Sequence, residues 1–99
     1  MTTKTYNGWT NYETWNVKLW LDNEESTYHY WTGRTRQIWD DSDTPDNAKY
    51  ELSEALKDEI TDEVPEITGM FADLIGAALG EVNWYEIAES YLDGITDDC

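Results

Sequence analysis

Between Thr44-Pro45 and Val64-Pro65, the apolar residues Ala48, Leu52, Ala55, Leu56 and Ile60 recur at spacings of three and four. An α-helix brings such positions onto one face, whereas a strand needs strict alternation. The flanking residues agree: Thr44 can cap, Pro45 suits the first helical position, and Val64-Pro65 stops the helix.

The same logic extends along the chain. Thr10-Asn11-Tyr12-Glu13 has capping-box spacing, with Thr10 as the cap, and predicts a first helix from about Asn11 to Asp22. Its apolar residues Tyr12, Trp15, Val17, Leu19, Trp20 and Leu21 cover more than one stripe, which predicts contacts on two sides and a central place in the fold. Asn23 is expected to cap a second helix, with Glu24 and Glu25 at the positive end of its dipole and Tyr28, Trp31, Ile38 and Trp39 at near-helical spacing. Gly33 interrupts it at a cost of roughly 1 kcal/mol and suggests a kink or a close approach. After Pro65 the run ITGMFADLIGAALG, with Met70, Phe71, Leu74, Ile75, Ala78 and Leu79 on a broad face, predicts a buried helix. Asn83-Trp84-Tyr85-Glu86 repeats the cap-then-Glu pattern and opens a last helix with Trp84, Ile87, Ala88, Tyr91 and Leu92 inward, ending near Gly94 before a frayed ITDDC tail. No strand pattern competes, so the expected fold is a single all-α domain over 1–99, a compact bundle of four to five helices.

Ninety-nine residues suffice for one hydrophobic core, and the 14% aromatic content compensates for a modest 39% apolar share. The one cysteine, Cys99, can neither staple the fold nor be held rigidly as a nucleophile. MTTKTYNGWT lacks the apolar core of a signal peptide and no run approaches the ~20 residues of a membrane span, which together predict a cytoplasmic protein.

Charge is where the chain is lopsided. Residues 1–39 balance Lys4, Lys18, Arg34 and Arg36 against Glu13, Asp22, Glu24 and Glu25, while residues 40–99 set eighteen acids against Lys49 and Lys57 and so carry the whole formal charge of −16. The densest section, 40–66, holds Asp40, Asp41, Asp43, Asp46, Glu51, Glu54, Asp58, Glu59, Asp62, Glu63 and Glu66. On the third helix Glu51, Glu54, Asp58 and Asp62 form a ridge opposite the apolar stripe, widened by Glu59 and Glu63. Five like-charge pairs at helical spacing cost about 0.2–0.5 kcal/mol each. A typical stability of ~5–15 kcal/mol absorbs that. Folding does not require the ridge, which leaves two explanations: a row of carboxylates imitating phosphates before a basic surface, or a solvated or salt-adapted face. Salt adaptation should spread acids over every exposed face, and residues 1–39 do not follow it.

Other chemistries fare worse. The tryptophans could form a stacking platform, but Trp15, Trp20 and Trp31 sit at core spacing and the net charge repels nucleic acid. Trp9 and Trp39 flank helices and are expected to be partly exposed. The loop from Asp41 to Asp46 opens like a calcium loop but has Pro45 at a ligand position and Leu52 in place of the bidentate Glu, so no metal is expected. His29, between Tyr28 and Tyr30, reads as a surface or packing residue. No phosphate loop, nucleophile elbow or Cys/His pair is present, so no catalytic residue and no cofactor is predicted.

Two stretches carry a resemblance. Asn7 to Asn23, NGWTNYETWNVKLWLDN, resembles the opening of an uncharacterised family of short proteins encoded on bacteriophages, plasmids and some bacterial and archaeal genomes. EVNWYEIAESYL, Glu81 to Leu92, resembles the same family's C-terminal helix. The resemblance implies a mobile-element origin, and small acidic proteins from that setting are often inhibitors of host defence. Together with the ridge it predicts a non-enzymatic anti-defence protein, of anti-CRISPR or anti-restriction type, that binds a basic nucleic-acid-handling host protein such as a defence nuclease or effector complex. Neither nucleic acid nor membrane is expected to bind directly, and homodimerisation is left open. The alternative is a structural or adaptor protein that pairs through aromatic patches such as Trp9 and Trp39.

Overall fold

The computed structural model describes residues 8–97, which form five helices and no strand: α1 (Tyr12–Asn23), α2 (Glu25–Asp41), α3 (Pro45–Asp62), α4 (Met70–Glu81) and α5 (Trp84–Asp97). The all-α bundle follows from the helical spacing of apolar residues. Lys4, Asp98 and Cys99 lie outside the described residues.

Helix α3 begins and ends where its sequence dictates. The Thr44 side chain accepts a hydrogen bond from the Asn47 amide, Pro45 opens the helix, and Ala48, Leu52 and Leu56 are fully buried. Its main partner is α5, which buries Trp84, Ile87, Ala88, Tyr91, Leu92 and Ile95 and also touches α1 and α2. The central element is thus α5, not α1. Helix α1 leaves Tyr12, Leu19 and Trp20 exposed because only some of its apolar positions find a neighbour. Gly33 is exposed on α2, with open space where a side chain would stand, so no close approach requires it.

Three termini differ from expectation. Asn11, not Thr10, caps α1, its carboxamide oxygen accepting from the Thr14 amide at 2.9 Å. The Thr10 amide is answered instead by Glu86 of α5, at 3.1 Å. Asn23 ends α1, and α2 starts after Glu24 without a side-chain cap. Helix α5 runs through Gly94 to Asp97, with Ile95 buried, so part of the tail expected to fray is ordered helix.

The largest correction concerns α4, which forms as predicted but is not buried. Met70, Phe71 and Leu74 are 67%, 63% and 58% exposed, and the helix packs chiefly on α1 through Leu79 and its neighbours. The exposed stretch from Glu63 to Gly69, with Gly69 at φ 76°, carries it away from α3. An apolar helix predicts burial only when another element is available to cover it, and α3 is already spent on α5 and α2.

Candidate functional site: an acidic ridge on α3

Helix α3 presents opposite chemistry on opposite sides because the 3.6-residue turn separates two interleaved sets of positions. Ala48, Leu52 and Leu56 face α5, whereas Glu51, Glu54, Asp58 and Asp62 are all exposed. None of these four carboxylates forms an ion pair or side-chain hydrogen bond with another described residue. Three of the cations are committed elsewhere: Lys18 to Asp22 at 2.7 Å, Arg34 to Glu59 at 2.6 Å, and Lys49 to Glu89 on α5 at 3.3 Å, while Lys57 lies on α3 without an ion pair to a described residue. Lys18 and Lys49 also sit over the rings of Tyr91 and Tyr85, at 4.8 and 5.2 Å. The ridge therefore keeps its charge.

The remaining acids of the predicted site divide by location. Asp40, Asp41, Asp43 and Asp46 are exposed around the α2–α3 connection, where the Ser42 hydroxyl donates to the Ile38 carbonyl and Thr44 caps α3. Glu63 is exposed just past the end of α3. Glu59 behaves differently. Eleven residues on from Ala48, it returns to the edge of the buried face and meets α2, accepting hydrogen bonds from the Tyr30 hydroxyl and the Arg34 guanidinium. Burial pushes its carboxyl upward, but these two hydrogen bonds and the guanidinium charge outweigh that and hold it below its ordinary value. Glu59 is a clasp between α2 and α3 more than a member of the free ridge.

A second polar cluster lies where α1 meets the α4–α5 junction, and the sequence reading did not find it. Thr14 is completely buried; its hydroxyl donates to Asn11 Oδ1 at 2.7 Å and accepts from the Asn83 amide at 2.8 Å. Asn11 Nδ2 donates to the Glu81 carbonyl at 2.7 Å, and Asn83 Oδ1 accepts the Glu86 amide at 3.1 Å, capping α5. The stretches NGWTNYETWNVKLWLDN and EVNWYEIAESYL thus meet in space through the polar residues of their first turns. The signal available in sequence was a hydroxyl residue at a buried helical position three residues after a capping Asn.

The aromatic candidates sort as follows. Trp31 is buried, Trp15 is half-buried against the Tyr12 ring, and Trp9 and Trp39 are partly exposed but pack on the core. Trp20, expected in the core, is 61% exposed. His29 is exposed, with Nε2 3.8 Å from Glu25, an ion pair only while the imidazole is protonated.

These features define a class: a small five-helix protein with an uncompensated anionic ridge on one helix and two sequence-distant helix starts joined by a buried threonine. The chain belongs to a family of unknown function, DUF7249, whose model matches residues 2–97. No curated protein and no solved structure matches it. No helix among the described residues is long and apolar enough to cross a membrane.

Proposed function

We propose that the protein is a non-catalytic inhibitor from a mobile element that occupies the basic surface of a nucleic-acid-binding host protein, such as a defence nuclease or effector complex. The observation that carries this reading is that Glu51, Glu54, Asp58 and Asp62 are exposed and unneutralised on a regular helix. Their spacing sets one carboxylate every ~5.5 Å along the axis, a sparser row than the ~3.4 Å axial step between phosphates of one DNA strand but of the same sign and regularity. A basic groove built for phosphates gains the same charge-assisted contacts from such a row. The acids at 40, 41, 43 and 46 extend the charged surface beyond the start of α3, and Glu63 beyond its end. Binding requires no cofactor or turnover, and it takes place in the host cytoplasm.

The test is capture of host proteins by the parent and by a variant carrying Glu51→Lys, Glu54→Lys, Asp58→Lys and Asp62→Lys. The parent should retain a nucleic-acid-binding protein at ~0.05 M salt, release it at ~0.5 M, and compete with DNA or RNA for it. The variant should keep its helical circular dichroism and lose both capture and competition. Equal capture and competition by the variant overturns the reading.

A further inference from the structure

We propose that the uncovered face of α4 is a homodimer interface, in which α4 of one copy packs antiparallel on α4 of a second. The helix is graded in size along its length. Met70, Phe71, Leu74 and Ile75 fill its first half, and Gly76, Ala77, Ala78 and Gly80 its second. Phe71 and Ala78 are seven residues apart and so lie within about 20° of each other around the helix; an antiparallel pair can lay Phe71 of each copy against Ala78 of the other, a bulky side chain on a small one at both ends. A two-fold axis creates such reciprocal contacts automatically.

Area and charge favour the same occupant. Tyr12 borders the C-terminal half of α4, and Trp20 lies one or two turns along the same side of α1 from Glu13, Asn16 and Val17, which face Ala78 and Leu79. With Met70, Phe71, Leu74 and Ile75, these two side chains expose roughly 700 Å² per copy, taking ~150–250 Å² for each large side chain. A specific interface of standard size uses ~800 Å² per partner. Residues 70–80 contain a single acid, Asp73, so two copies of charge −16 that meet here bring few of their carboxylates together. An anionic membrane meets the full repulsion of the rest of the molecule, and a basic protein is drawn to α3 instead.

The experiment is sedimentation of the purified full-length chain over a range of concentrations at ~0.05 M and ~0.5 M salt. Self-association should tighten severalfold as salt screens the net charge, the opposite of the salt response expected for a partner held by the ridge; failure of either reading is thereby distinguishable from failure of the other. Leu74→Ser should weaken self-association at least about tenfold, as at an interface anchor, while leaving helicity and partner capture unchanged. A parent that stays monomeric at both salts, or self-association unmoved by Leu74→Ser, overturns the dimer.

Discussion

Thr14 shows how much one short side chain can hold. Its hydroxyl is both donor and acceptor, linking the cap of α1 to the amide that opens the turn into α5, and the Thr14 side of both bonds is fully buried. Thr14→Ala strands the Asn83 amide and should cost about 1–3 kcal/mol. In a chain of this length that is a drop of ~4–8 °C in Tm per kcal/mol, measurable by thermal denaturation. Tyr91 is the reverse case. Its hydroxyl is buried with no hydrogen-bond partner, and burial, with help from Asp22 and Tyr28, pushes its ionisation well above the ordinary tyrosine range. Tyr91→Phe removes a polar atom that has no partner and should raise the Tm. Because the folded-state value lies above the unfolded one, the native tyrosine destabilises the fold as pH rises beyond ~10, where the unfolded chain can ionise and the folded one resists. Stability of the Tyr91→Phe variant should fall less steeply in that alkaline window.

Among the elements, α3 and α4 divide what periodicity can and cannot say. Thr44, Pro45 and the stripe from Ala48 to Ile60 sufficed for α3, since local capping and one-sided burial agree there. Helix α4 has the composition of a core helix, and its burial depends on which neighbours remain free, information held by the whole topology. Glu59 is a related case: by spacing it widens the ridge, yet its angular position borders the buried face, so it meets Arg34. Glu59→Gln should cost at most about 1 kcal/mol near neutral pH, because the Glu59 and Arg34 side chains are each about one-third exposed and solvent screens the pair. The depressed Glu59 carboxyl stabilises the fold fully above the ordinary carboxylate range, and that contribution is lost as pH falls through its lowered folded value. The glutamine variant should therefore lose less stability on acidification. Along the free ridge, Glu54→Gln with Asp58→Asn should stabilise the helix by about 0.5–1 kcal/mol at low salt through loss of like-charge neighbours. In ~0.5 M salt the gain should shrink towards zero.

At the scale of the molecule, a radius of gyration of 14.2 Å exceeds the ~13 Å usual for a hundred-residue domain, as expected when one helix stands off the core. Net repulsion acts on the same body, so added salt should raise the Tm of the parent. Helix α5 is the hub on which α1, α2 and α3 all pack. Synthesis delivers that hub after every helix it must join, so the faces that α1, α2 and α3 turn towards α5 stay uncovered until it is made. A nascent chain arrested before Trp84 should remain protease-sensitive, and one released after Ile95 should snap shut in a single cooperative step.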